Sequence, residues 1–465
     1  MPPPARTRSP DVMEQQTHTA TLSRYLAEAS RTELPVEVAE AARLHVLDTF
    51  AAVISGSALQ PGRRGLQVAQ ALGGPPEAMI VGSNVLVGAT AAALANGMAA
   101  HADETDDSHA PSLSHPGCAV VPAALAAAER GGRSGSAFLK AVTAGYDAGC
   151  RVGRALGREA VDLRLSRPSS HALVGTFGAA AAAAVMSEAT ALECEYVLSY
   201  AAQSASGVTT WQRDVDHIEK AFVFAGGPAQ SGVLASLMVT LGCTGVRNVL
   251  GDHPDFLHAL SRDPSPAELT GELGSRYEIA LTNIKRYSVG SPAQAAVQAT
   301  EEIVHEYSPD ITAIKQIDIL LPADLARVVD DRGMPDVNVQ YLVAGTLTDG
   351  RCSFQMSHDV ARMTSPPILA LRERTHLLAE ESSAGTRSGE VRLRLLDGTL
   401  HQRRIAHVRG TAQNPMTPDE VRENAIDVIG PVAGSQRTKT IVDALQRIDE
   451  LDDITGLRGI LQLPA

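Results

Sequence analysis

Seven titratable side chains crowd into the seventeen residues of HADETDDSHAPSLSHPG: His101, Asp103, Glu104, Asp106, Asp107, His109 and His115. Carboxylates and imidazoles at this density have three physical uses. They can ligate a metal ion. They can move protons, because clustered carboxylates raise one another's pKa and histidine titrates near neutrality. The plain alternative is a polar loop that caps a helix. The concentration of His and acid in a turn that ends Ser-His-Pro-Gly weighs towards chemistry.

Three further segments carry reactive side chains. In RPSSHALVGTFGAAAAAA, His171 stands just ahead of an Ala-rich helix whose free N–H groups suit a carboxylate. A lone His at a helix start is more often structural. WQRDVDHIEKAFVFAGG holds the chain's one tryptophan, Trp211, with Arg213, Asp214, Asp216, His217, Glu219 and Lys220. A solvated loop with internal ion pairs is its simpler reading. In NIKRYSVGSPAQ, Lys285, Arg286 and Tyr287 precede a Gly-Ser-Pro turn. A basic pair at a domain junction can anchor carboxylates, which Arg grips with two parallel hydrogen bonds; a surface charge pair is the competing reading. No GxGxxG in a strand–helix context, Walker loop or GxSxG elbow occurs, so nucleotide-dependent chemistry and serine hydrolysis are poorly supported.

These segments need a scaffold, and its pattern is mostly helical. From about Thr17 to Gly274 one apolar period follows another. LPVEVAEAARLHVLDTFAAVISG, GATAAALANGMAAHADE, SAFLKAVTAGYDAGCRVGRALG, GTFGAAAAAAVMSEATAL and GGPAQSGVLASLMVTLG all read as helices with Ala on crowded faces. Near Tyr277 the period changes. KQIDILLP alternates like a half-buried strand, and EVRLRLLDGTLHQRRI reads as a hairpin about its Asp397–Gly398 turn. After Gly410, NPMTPDEVRENAIDVI returns to helix, with Thr417 as N-cap before Pro418. The expected fold is mainly α: a large all-helical domain (17–276 and 409–465) with a smaller α+β lid domain (277–408) inserted, and a disordered tail over 1–16.

The bulk composition is that of a soluble protein of 465 residues, with 40 basic and 53 acidic side chains and a net charge of −13. An acidic surface argues against nucleic acid as a partner. With 3% aromatics the core must be built from Ala, Val and Leu. The five cysteines are scattered and read as small buried thiols in a reducing compartment, which points to the cytoplasm. No uninterrupted apolar run reaches a membrane span, and the N-terminus lacks the apolar run of a secretory signal.

Taken together, the LDTFAAVISG helix, ANGMAAHADETDDSHAPSLSHPG, HALVGTFGAAAAAA, AGGPAQSGVLASLMVTLG, IKRYSVGSPAQ and NPMT resemble the MmgE/PrpD family over nearly the whole chain. That family includes 2-methylcitrate dehydratase, cis-aconitate decarboxylase and iminodisuccinate epimerase. The resemblance implies a homodimer, a site between helical domain and lid, and no metal or organic cofactor. It implies catalytic roles for His115, His171, Glu104, Asp107, Ser108 and Lys285. Asp106, His109, His217, Lys220, Arg286 and Tyr287 are the substrate-binding candidates. Two departures stand out. DHIEKAF replaces the usual lysine motif, so that Lys220 or His217 takes that place. In the lid motif Ser288 stands for Pro, Gly290 for Cys and Gln294 for His. The expected activity is a cofactor-independent hydro-lyase acting on a small di- or tricarboxylate, with Glu104 or Asp107 orienting His115. An epimerase, a decarboxylase, or a non-catalytic carboxylate-binding homologue are the alternatives.

Overall fold

Small side chains set the spacing of the helices. Gly135–Leu156 and Ser170–Met186 cross at Gly145, Gly149 and Gly178. A Cβ on Gly149 would lie 2.4 Å from the Val174 carbonyl oxygen, so these backbones nearly touch. This is how a chain so poor in aromatics still packs densely. The computed structural model describes residues 17–157, 168–251, 254–381 and 387–462, so the tail expected over 1–16 lies outside the described residues.

The first apolar core gathers residues from Leu22 to Ile284 and again from Phe354 and Met416 to Leu461. The returning helix Pro418–Ala433 packs on Val36–Ser57. Its start is the expected one: Thr417 Oγ1 accepts from Glu420 N, and Glu420 Oε2 accepts from Thr417 N at 2.7 Å, a reciprocal cap. A short ladder, β1 (Ala78–Met79) with β2 (Leu86–Val87), closes one side.

The second core gathers residues from Tyr287 to Val408 around a four-stranded sheet. Its strands are β3 (Ile314–Pro322), β4 (Thr375–Glu380), β5 (Gly389–Leu395) and β6 (Leu400–Ile405), in the order β4-β3-β5-β6. β3 runs parallel to β4 and antiparallel to β5. The β5–β6 hairpin turns at Asp397–Gly398, where Gly398 adopts φ +93°. Ile317, Ile319, Val391 and Leu393 supply the buried face. The described residues are thus mainly helical, with one four-stranded sheet and the short two-stranded ladder.

Two expectations need correction. Among the described residues one helix, Ile218–Thr240, is long and apolar enough to cross a membrane; 56% of its most apolar stretch is buried inside the protein. Its first turn carries Glu219 and Lys220, so a search for an uninterrupted apolar run passes it over. Of the cysteines, Cys118, Cys150 and Cys194 are buried as expected, whereas Cys243 is exposed and Cys352 half-buried.

Candidate active site

The acidic His segment is the buried link between two helices. Ala89–Ala100 ends at His101, and Gly117–Gly131 begins just past His115. Asp107 closes this link: its carboxylate accepts from Gly117 N at 3.0 Å, His45 Nδ1 at 2.8 Å and Tyr146 Oη at 2.5 Å. A carboxylate at a helix start is well placed to satisfy free N–H groups. A second device brings in the distant lysine. Ser108 and Asn283 form an isolated antiparallel bridge, with N–H···O distances of 2.9 and 2.8 Å. In such a bridge the residue two before one partner faces the residue two after the other. Asp106 therefore faces Lys285, whose Nζ lies 3.5 Å from Asp106 Oδ1 and donates to the Glu104 carbonyl at 2.6 Å.

Around these carboxylates stand four imidazoles and a second lysine. Lys220 Nζ is hydrogen-bonded to Glu104 Oε1. Asp106 Oδ2 accepts from His101 Nδ1 at 2.9 Å and lies 3.2 Å from His115 Nδ1. His115 lies 5.2 Å from His171, and His101 the same distance from His217, between ring centres. A one-turn π-helix, Phe222–Gly226, bulges the following helix and carries Phe224 between the rings. Phe224 stacks on His171 at 3.7 Å and on His101 at 4.4 Å, with Trp211 edge-on at 4.7 Å. π-turns often mark functional positions for this reason: the extra residue re-aims a side chain.

Burial and neighbouring charge fix the protonation states. Burial opposes ionisation of Glu104, yet Lys220, Lys285 and the imidazoles hold it well below the usual carboxylate range. Asp106 is held down in the same way by His101, His115 and Lys285. Burial, with the nearby lysines and histidines, pushes His115 down, and His171 and His217 well down. An ionised Asp106 accepts only, so a neutral His115 favours the tautomer with Nδ1–H on the Asp106 side and Nε2 bare. Buried polar atoms without a partner gather here: His101 Nε2, His115 Nδ1, His171 Nδ1, His217 Nε2 and Trp211 Nε1. Such a concentration of buried donors and acceptors is a polar pocket able to hydrogen-bond a guest. Two donor sets, His101–Asp106–His115 and His101–Glu104–His217, have ligand atoms within 4.8 Å of one another and the right chemistry for a metal. The carboxylates in both sets are already countered by Lys285 and Lys220.

Of the residues singled out in the sequence, Glu104, Asp106, His115, His171, His217, Lys220 and Lys285 come together here. The others do not. Asp107 does not orient His115; its oxygens are taken up as described, and the carboxylate nearest His115 Nδ1 is that of Asp106, 3.2 Å away. His109 faces away, with Nδ1 2.7 Å from Ser112 Oγ and Nε2 3.1 Å from Glu278. Arg286 reaches Glu420 at 3.7 Å, and the Tyr287 hydroxyl donates to Glu301 at 2.7 Å inside the second core. Both follow Lys285 on a chain that turns away after the bridge. Ser108 borders the cluster through its backbone while its hydroxyl accepts from Arg387 at 2.9 Å. Gln294 ties the turn, donating to the carbonyls of Tyr287 and Val289.

Sequence reading missed Phe224, Asp48, Asp336 and His358. Burial, with Asp107 and Asp106 close by, pushes Asp48 well up, so it is a neutral acid behind the cluster. His358 follows the short helix Phe354–Ser357 and lies 3.1 Å from Asp103, with Nδ1 2.9 Å from the Phe354 carbonyl. Facing two acceptors, its ring holds both protons: burial lowers its pKa, but Asp103 and Asp336 raise it to about 9. A raised pKa contributes stability that is complete below the unfolded value near 6.5 and lost as pH climbs through about 9. The expected loss is at most on the order of 3 kcal/mol. Thermal midpoints of the wild type should fall over this range, and those of His358→Gln should fall much less. Parallel curves would remove the pair from the account. Nothing in the spacing of SFQMSHDV announces this contact, which exists only through folding.

Residues 20–269 match the MmgE/PrpD N-terminal domain and residues 287–449 the MmgE/PrpD C-terminal domain. The chain is 26% identical to the cis-aconitate decarboxylase-like protein oryM of Aspergillus oryzae, over 95% of this chain and 97% of that protein. It is 24% identical to a cis-aconitate decarboxylase of Aspergillus terreus, over 96% of each. The cis-aconitate decarboxylase of Mus musculus is likewise 24% identical, over 81% of this chain and 79% of the relative.

Proposed function

The chain belongs to the MmgE/PrpD family, and from that premise we propose that it is a lyase that decarboxylates a small unsaturated di- or tricarboxylate without a metal or organic cofactor. One observation carries the reading: neutral imidazoles and paired ammonium groups share one buried cluster around Glu104 and Asp106. The relatives named above support decarboxylation as the first chemistry to test. The C–C bond to the departing carboxylate breaks and leaves its electron pair on the adjoining carbon, delocalised into a remaining carboxylate. Lys285 and Lys220 stabilise that charge; a preorganised donor of this kind is worth about 2.7–4 kcal/mol. His115 relays a solvent proton to the carbon, so CO₂ leaves and one proton is consumed. The second core acts as the lid, holding His358 against the loop beside Lys285 while water is excluded. The reading carries with it the homodimer that the family resemblance implies.

A hydro-lyase is the second reading, favoured by one observation. Asp336 is buried near Glu104, Asp103 and His358; burial and the two carboxylates raise its pKa and His358 lowers it, leaving it at about 6, so it carries a proton on the acid side of that value. With a free imidazole as base, the cluster then has both groups an elimination of water needs.

The test is chelator-treated protein in D₂O with an unsaturated tricarboxylate, cis-aconitate, and separately with a hydroxylated one, 2-methylcitrate. We expect CO₂ release and one solvent deuteron on carbon, with full activity after chelation. Alkene formation without CO₂ would favour the hydro-lyase. Activity abolished by the chelator and restored by a divalent ion would overturn the metal-free mechanism. Silence with both compounds would overturn the lyase.

A further inference from the structure

Beside the Ser108–Asn283 bridge lies a cavity of about 400 Å³, walled by Pro111, Asn283, Arg387, His407, Thr411 and Gln413. Its chemistry is unusual for one residue. Arg387 is half-buried, and among the described residues its one hydrogen-bond partner is Ser108 Oγ; no carboxylate there lies within ion-pair distance of it. A guanidinium carries five donors in a planar fork and is rarely left enclosed without an anion. Burial pushes it down to about 10, the direction expected of a partly buried cation lacking a counter-charge. Asn283 adds a second donor. Its Oδ1 accepts from Ala412 N at 2.9 Å, which fixes the amide and, among the described residues, leaves its NH₂ without a partner at the cavity wall.

We propose that Arg387 and Asn283 form a second carboxylate-binding subsite, distinct from the imidazole–ammonium cluster and joined to it through Ser108. The planar fork and the neighbouring amide suit a carboxylate bound by two parallel hydrogen bonds. Ser108 links this subsite to the loop that ends in His115, because the same residue accepts from Arg387 and pairs with Asn283. A bound carboxylate therefore pins the loop. The inference deepens the reading of the protein as a carboxylate-acting enzyme, and rests on it for the class of ligand. The carboxylate comes from one of two sources: the far end of the substrate or a separate small acid.

The experiment uses the full chain and tricarballylate, a saturated tricarboxylate with no hydroxyl to lose. Affinity is read by titration calorimetry for wild type, Arg387→Gln, Arg387→Lys and Lys285→Met, with phenylglyoxal modification of Arg387 followed by mass spectrometry. We expect Arg387→Gln to weaken binding at least 10-fold, Arg387→Lys to restore part of it, and tricarballylate to protect Arg387 at least 5-fold. Arg387→Gln should also melt no lower than wild type, because it removes an unpaired enclosed charge. One bound tricarballylate, displaced by substrate, identifies the substrate's own carboxylate as ligand; a second molecule bound together with substrate identifies a separate acid. Unchanged affinity in Arg387→Gln, with Lys285→Met weakened, would overturn the subsite and leave the lyase standing. No binding to wild type and no protection would overturn the subsite whatever the assay for lyase activity shows.

Discussion

His115→Ala is expected to lose turnover by about 10²-fold or more while remaining folded, with substrate affinity changed far less. The side chain is 12% exposed and has no aligned hydrogen-bond partner, so its removal breaks no hydrogen bond. What it takes away is chemical. Asp106 lies 3.2 Å from Nδ1 and, as an ionised acceptor, selects the tautomer that bares Nε2. Burial keeps the ring neutral near pH 7, and it faces His171 across 5.2 Å. With His171 beside it, His115 can pass a proton between solvent and carbon. Single-turnover rates should therefore fall with kcat, since the lost step is proton transfer and not release. His115→Asn, which keeps polarity and loses the base, should be as slow as the alanine variant. Near-normal turnover in either would transfer the role to His171 or His101.

The division between what the chain announces and what it conceals follows from the range of the interactions. Thr417, Asp397–Gly398 and the alternation in KQIDILLP act over a few residues, and the structure has them where local physics puts them. The Ala-rich helices are legible for the same reason. Within the candidate site, His115 and Glu104 could be picked because their segment concentrates reactive groups in one loop. Choosing among its four acids could not be done that way. Asp106 and Asp107 are adjacent, yet one faces the imidazoles and the other the start of a helix. That difference is set by His45, Tyr146 and Asn283, from three other parts of the chain. Phe224 reads as one more apolar residue in FVFAGG, and only the π-turn makes it the plate between His101 and His171. Arg286 and Tyr287 illustrate the opposite error: they share a motif with Lys285, and the bend after the bridge sends them elsewhere.

Lys285→Met should be costly in stability and activity at once. The ammonium is 2% exposed, lies 3.5 Å from Asp106 and 3.8 Å from Glu104, and donates to the Glu104 carbonyl. Methionine conserves the bulk of the side chain, so packing is not the main loss. Removing one partner of a buried ionic cluster leaves charge uncompensated and costs about 3–5 kcal/mol. Losing a charge-stabilising donor from the reaction should lower kcat by a further factor of about 10²–10³. The pH dependence separates a lost charge from a lost shape. Asp106 is depressed in the folded wild type, so its contribution to stability is present above its unfolded pKa and lost as pH falls through the folded value. Without Lys285 the folded value rises, and the variant shelters a proton at Asp106 that the wild type refuses. The gap between their urea midpoints should then be widest near pH 7.5 and narrow towards pH 5. A gap that stays constant with pH would mean that the lysine is held for its packing, and the ammonium would lose its place in the chemistry. A narrowing gap with kcat lowered would tie the two roles to one charge: the cation that keeps Asp106 ionised in the dark of the core is also the one that receives the substrate's charge.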